Sequence, residues 1–188
     1  MLQSLTLGRG SSVFDVFLEP TCPFSARVFS KLPSLIDTAG SDMVSVRIWL
    51  HSQPWHMYSG VLCRAIAAAA NQDPEGSSAL DVMEAIFRSR GAYEFDAHCR
   101  GPLLNTSPHQ LLSRLVEESG VDFWEAFDDE NLQTVIKQHA KFSRQNGIHV
   151  SPTVMFNGLI VPDISSGDAV QTWLDKAGLA TERYLLEV

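Results

Sequence analysis

The hydrophobic pattern changes character twice along the 188-residue chain. SVFDVFLE, Ser12 to Glu19, is a short and mostly apolar run rich in Val and Phe, bounded by GRGSS, and its length and composition predict a buried β-strand. From Phe24 the apolar residues fall at Phe24, Val28, Leu32 and Leu35 or Ile36, which is the stripe of a helix. Pro33 lies inside that stripe and lacks the donor a helix needs, so a kink or an end is expected there. After the AGSD break, MVSVRIWL alternates as a second strand running to about Leu50. Two strands joined by a helix of this length predict a βαβ unit and a parallel pair.

From Ser59 to about Asn146 the pattern predicts helices and no strand. SGVLCRAIAAAA is strongly helix-favouring. In SALDVMEAIFRSRG the residues Leu80, Met83, Ile86 and Phe87 form a stripe that Gly91 is expected to close. SPHQLLSRLVEESG reads as a helix with Ser107 as N-cap, Pro108 at the first position, Gln110 at the third and Gly120 as the stop. DDENLQTVIKQHAKFSRQNG begins acidic, ends basic and stops at Gly147, as the helix dipole favours. The pattern then returns to β. PTVMF and LIV flank Asn157-Gly158, the dipeptide that most strongly marks a hairpin. A last helix is expected from about Gly167 to Ala177, with Ala169, Val170, Trp173 and Leu174 on one side. The fold class is therefore α/β, with a helical block inserted between its two β-containing parts.

Composition narrows the function. Hydrophobic residues make up 45% and charged residues 19%, as in globular proteins, and no run of 18 apolar residues predicts a membrane span. The net charge of −8, with no cluster of Lys and Arg, argues against a nucleic-acid surface. The first residues show no apolar run behind a basic start. Read as given, the chain is expected to be cytoplasmic, and periplasmic if a leader has been removed. Cys22, Cys63 and Cys99 are too few for a disulfide framework, and no pair has metal-ligand spacing.

The chemistry points to Cys22. EPTCPFS places a thiol where the first strand hands over to the first helix. Unpaired amides at a helix start favour the thiolate, which is the nucleophilic form. Ser25, one turn on, is a candidate to donate a hydrogen bond to that thiolate. Glu19 opposes it, because a nearby carboxylate disfavours a second negative charge. The competing reading is a small buried hydrophobe. Cys63, in an alanine-rich helix, reads as packing, whereas Cys99 in AHCRG reads as an exposed loop residue and a candidate resolving thiol. His51 and His56 in HSQPWH are poorly spaced as metal ligands and read as solvated or hydrogen-bonded, and His98 beside Cys99 reads as incidental. Asp15 reads as a hydrogen-bonded carboxylate before it reads as a buried proton acceptor. Trp49, Trp55, Trp124 and Trp173 read as core, with Trp55 the one that also suits a groove.

Phe17, Glu19, Cys22, Pro23 and Ser25 in FLEPTCPFS, with Ser151, Pro152 and Thr153 in VSPTVMFNG, resemble the two facing motifs of the thioredoxin superfamily. The helical insert, and HSQPWHMYSG leading into it, make the chain similar to the DsbA-like branch of thiol-disulfide oxidoreductases and disulfide isomerases. The resemblance implies a thioredoxin-like fold in two parts, residues 1–57 and 129–188, around a helical insertion at 58–128. It also implies a cis bond before Pro152, facing Cys22. Cys22 and Ser25 are then the expected catalytic residues. Pro23, Phe24, Ser151, Pro152 and Thr153 are expected to bind the substrate, a disulfide-containing protein or peptide.

The departure is Ser25, which stands where that family carries a second cysteine. A serine cannot resolve a mixed disulfide, so single-thiol exchange remains, with glutathione as the co-substrate that releases Cys22. Two other readings stay open. One is similar to the kappa-class glutathione transferases, with Ser25 activating glutathione. The other is a redox-inert binding module that kept the groove around Pro152. No tightly bound cofactor and no metal are expected.

Overall fold

The computed structural model describes residues 5–94 and 99–179. His98 therefore lies outside the described residues. The chain opens with a short strand β1 (Thr6–Gly8), followed by β2 (Ser12–Leu18), α1 (Pro23–Phe29), α2 (Leu32–Ala39) and β3 (Val44–Leu50). Five helices follow: α3 (Ser59–Gln72), α4 (Ser78–Arg88), α5 (Pro108–Ser119), α6 (Trp124–Phe127) and α7 (Leu132–Gln145). The strands β4 (Thr153–Phe156) and β5 (Leu159–Ile160) and the helix α8 (Val170–Lys176) complete the fold.

The five strands form one sheet in the order β1-β3-β2-β4-β5. As the pattern predicts, β2 and β3 are parallel, in register from Ser12↔Val44 to Leu18↔Leu50. β2 also pairs antiparallel with β4, so it is central and its side chains are covered on both faces. Phe14, Val16 and Leu18 enter the main core with Val28, Leu32 and Leu35. Phe17 points to the other face, with Trp49, Ile148 and Met155, against Phe142 of α7.

The break expected at Pro33 is present just ahead of the proline, and two other local outcomes differ from the sequence reading. α1 ends at Phe29 and a new helix begins at Leu32, with Pro33 in its first turn, where a missing donor does no harm. α4 ends at Arg88, with Ser89 as its C-cap, rather than at Gly91, which instead lies in a 3-10 turn over Arg90–Ala92. β1 is absent from the sequence reading, because three half-buried residues carry no alternation to read. It runs antiparallel to β3 at the sheet's edge. Gly10 follows it. A Cβ there would come within 2.0 Å of the Met43 backbone, so only glycine lets the two segments cross.

α5 has the predicted cap. The Ser107 Oγ accepts from the Gln110 amide at 3.2 Å, the Gln110 Oε1 accepts from the Ser107 amide at 2.9 Å, and Gly120 closes the helix at φ 71°. The hairpin turns at Asn157 and Gly158, both with positive φ. The Asn157 Oδ1 accepts from the Val13 amide at 2.8 Å, which ties the hairpin back to β2.

Candidate active site

β2 ends at Leu18, and residues 19–22 carry the chain into α1. Cys22 is the N-cap of α1 in an extended conformation (φ −72°, ψ 126°), with Pro23 as the first helical residue. Its thiol is not in a disulfide and the residue is 6% exposed. The Sγ donates to the Ser151 carbonyl at 3.7 Å, across from the loop that precedes β4. The Ser151–Pro152 peptide bond is cis. Residues 129 positions apart in sequence are thus brought together at the same end of the sheet.

Ser25 does not hydrogen-bond to Cys22. Its Oγ accepts from the Glu19 amide at 3.1 Å, and the residue is fully buried. That amide has just left the β2 ladder and needs an acceptor, which the third helical residue is placed to offer. The expected support of the thiolate by Ser25 is therefore replaced by a lock on the preceding loop.

The cleft over Cys22 has a volume of about 350 Å³ and is lined by Pro23, Phe24, Gln53, Trp55, Val150 and Ser151, with the buried His56 and Glu94 and the partly exposed Arg90. Phe24, Trp55 and Val150 are 51%, 46% and 62% exposed and make an apolar rim. The Arg27 guanidinium lies over the Phe24 ring at 5.5 Å. Trp55 is thus a groove residue and not core. Trp173 is fully buried and Trp49 nearly so. Trp124 is half-buried and stacked on His109. Pro152 and Thr153 fall outside the Cys22 cleft. They line a neighbouring groove with Ile148, Ile160 and Ile164, and the Thr153 Oγ1 donates to the Val150 carbonyl at 2.8 Å.

Behind the thiol lies a buried polar cluster that no local motif announces. Glu19 is fully buried. Its Oε2 accepts from the Thr21 amide at 2.7 Å and from the Thr21 hydroxyl at 3.0 Å. The Thr21 Oγ1 is 2.7 Å from the His56 Nδ1, which is 3.0 Å from the Glu94 Oε1. Arg90 pairs with the other Glu94 oxygen. Burial raises the Glu19 carboxyl above its ordinary range, against the two hydrogen bonds from Thr21 that favour the charged form. The Glu19 Oε1 has no hydrogen-bond partner among the described residues.

The remaining candidates separate cleanly. Asp15 sits on the opposite face of the sheet. It accepts two bonds from Arg47, at 2.7 and 2.6 Å, and one from the Trp49 Nε1 at 2.7 Å, so it is the hydrogen-bonded carboxylate and not a base beside Cys22. Burial, with a contribution from Glu19, pushes the Cys63 thiol far above its ordinary range, which fits a packing residue. Cys99 is exposed and its Sγ lies 3.6 Å from the Trp55 carbonyl, at the rim of the cleft and not on Cys22. His51 does not converge with His56. It lines a separate cavity of about 450 Å³ with Cys63 and His139, and burial lowers its basicity. His139, which no sequence motif marks, is 2% exposed. Its Nδ1 accepts from the Leu50 amide at 2.9 Å, and burial lowers its pKa to about 4.

A family model described as Thioredoxin matches residues 9–176. The chain belongs to the thioredoxin family. Within this family, a crystal structure from Pseudomonas syringae of a candidate protein-disulfide isomerase superposes with a TM-score of 0.90 at 48% identity, covering 93% of this chain and 98% of that one. The thiol-disulfide exchange protein α-DsbA2 of Wolbachia pipientis superposes with a TM-score of 0.69 at 16% identity, over 92% and 84% of the two chains. The catalytic domain of Proteus mirabilis ScsC gives a TM-score of 0.63 at 16% identity, over 92% and 86%. These last two show the shared fold. Among curated proteins none matches. In the described residues no helix is long and apolar enough to cross a membrane.

Proposed function

We propose that Cys22 is the nucleophile of a thiol–disulfide exchange protein that works with a single thiol. The observation that carries this reading is the Cys22 Sγ facing the Ser151 carbonyl across an apolar-rimmed cleft, with a buried serine where a second thiol would stand.

The Cys22 thiolate attacks one sulfur of a disulfide, forming a Cys22 mixed disulfide and releasing the other half as a thiolate. A second thiolate, of glutathione or of the substrate itself, then attacks that mixed disulfide. It frees Cys22 and carries away the bound half as a new disulfide. Cys22 begins and ends reduced, so the cycle isomerises disulfides or reduces mixed ones and oxidises nothing on its own. The rim of Phe24, Trp55 and Val150 suits an extended peptide or protein segment, with the Ser151 backbone available to pair with it. The candidate isomerase from Pseudomonas syringae, at 48% identity, supports the same class of substrate. A serine-based glutathione chemistry is disfavoured because the Ser25 hydroxyl is buried against the Glu19 amide.

The test is exchange with a glutathionylated peptide, followed by mass spectrometry. Wild type is expected to pass through a mixed disulfide on Cys22, and Cys22→Ala to lose the reaction. Full activity in Cys22→Ala would sink the reading.

A further inference from the structure

Thr21, the residue directly before Cys22, has each of its polar atoms engaged. Its amide and its hydroxyl both donate to the Glu19 Oε2, and its carbonyl accepts from the Arg90 Nη1 at 3.4 Å. A hydroxyl has one proton to give. With that proton on Glu19, the Thr21 oxygen is an acceptor towards the His56 Nδ1 at 2.7 Å, so that ring nitrogen carries hydrogen. The same nitrogen lies 3.0 Å from the Glu94 Oε1 and 3.5 Å from the Glu19 Oε2. Glu94 in turn holds Arg90. His56 comes from the segment between β3 and α3, and Arg90 and Glu94 from the turn after α4.

The Cys22 backbone is tied by its amide to the Glu19 carbonyl at 3.2 Å and by its carbonyl to the Ala26 amide at 3.0 Å, but its thiol is loosely held. Its side chain makes no cap hydrogen bond, and among the described residues its thiol has the long 3.7 Å approach to Ser151 as its polar contact. A weak sulfur contact fixes a rotamer poorly. The Cα–Cβ bond that carries the Sγ therefore follows the peptide plane that Cys22 shares with Thr21, whose carbonyl is held by Arg90 and whose residue is anchored by Glu19 and His56.

We propose that Thr21 is a positioning residue for Cys22, and that His56, Glu94 and Arg90 form a clamp through which the helical insertion aims the thiol. This rests on the reading of Cys22 as the nucleophile. In exchange chemistry the attacking sulfur must lie in line with the disulfide, and small misplacements of a reacting atom cost rate.

The experiment measures iodoacetamide alkylation of Cys22 against pH by peptide mass spectrometry, in wild type and in Thr21→Val, Thr21→Ser, His56→Gln and Arg90→Met. Cys63 in the same spectra reports the fold, because it reacts only in unfolded molecules. Thr21→Val and His56→Gln are expected to slow Cys22 on the order of tenfold, the loss of about one well-made hydrogen bond, and to shift its pH profile. Thr21→Ser keeps the hydroxyl and is expected to stay within about twofold of wild type. Arg90→Met, which reaches the Thr21 carbonyl from the partly exposed side, is expected to move the profile in the same direction without exposing Cys63. Wild-type rates and profiles in Arg90→Met and the other folded variants overturn the clamp. Equal slowing in Thr21→Ser and Thr21→Val overturns the role of the hydroxyl. Exchange with the glutathionylated peptide is run in parallel. A wild type that alkylates at Cys22 and does not exchange overturns the functional reading, while the alkylation series still decides the clamp.

Discussion

At the scale of single residues, the site is defined as much by what Ser25 does as by what it lacks. Its hydroxyl satisfies the Glu19 amide, and its position one turn past Cys22 is the place for a second thiol. Ser25→Cys is therefore expected to form a disulfide between Cys22 and the introduced thiol on mild oxidation. The bond would be seen as a loss of about two mass units, one hydrogen from each thiol, and as blocked alkylation of Cys22. Failure to close under oxidant would mean that the geometry at the start of α1 does not suit a dithiol. Cys22 is readable from its place at a strand-to-helix junction, and Ser151 only through the resemblance of VSPTVMFNG to a family motif. Thr21, His56, Arg90 and Glu94 are not. They meet across 35 to 69 positions of sequence, as the Thr21 contacts with His56 and Arg90 show, and no periodicity encodes such a meeting. HSQPWH is visible as a pair of histidines, but only the folded chain shows that His51 and His56 face different cavities.

At the scale of elements, what is legible is what local chemistry dictates. β2 and β3 are runs of apolar residues long enough to stand alone as signals, and the Asn157-Gly158 hairpin is set by its own turn residues. The broken first helix is half legible, because Pro33 announces a break and does not say on which side the chain restarts. β1 is illegible because edge strands this short are selected by their partner, here β3. α5 gives a clean test of the local terms. Its capping box is exposed and lines no part of the Cys22 cleft, so Ser107→Ala is expected to cost about 1 kcal/mol in urea unfolding. Alkylation of Cys22 in the folded protein should not change. A change in that rate would mean that α5 acts on the thiol through the turn after α4, where the Ala92 carbonyl accepts from Arg114 at 3.3 Å and the Tyr93 hydroxyl donates to Glu118 at 2.9 Å.

For the whole molecule, His139 and Glu19, two of the groups whose titration burial shifts, pull stability in opposite directions with pH. His139 is neutral in the fold. Its pKa of about 4 lies below the ordinary 6.5, because burial disfavours the charged ring and the Leu50 amide occupies the Nδ1. Below about pH 6.5 the unfolded chain takes up a proton at this histidine that the folded chain refuses until about pH 4. Stability is therefore lost as the pH falls through that window, by about 3 kcal/mol at most from this residue. Glu19 has its pKa raised by burial, so the folded state holds a proton there that the unfolded state has given up. Its contribution weakens as the pH rises from the ordinary carboxylate range through the folded value. The two effects overlap as the pH rises above the ordinary carboxylate range, and separate variants divide them. Unfolding free energies in urea, compared between about pH 4.5 and about pH 7, are expected to show a smaller acid loss in His139→Gln than in wild type, since glutamine keeps an acceptor for Leu50 and cannot protonate. Glu19→Gln is expected to deepen the acid loss, because it removes the group that gains stability as the pH falls. An unchanged difference between the two pH values in His139→Gln would show that this histidine is protonated in the fold or exchanges freely with water, and its place against the end of β3 would have to be drawn again.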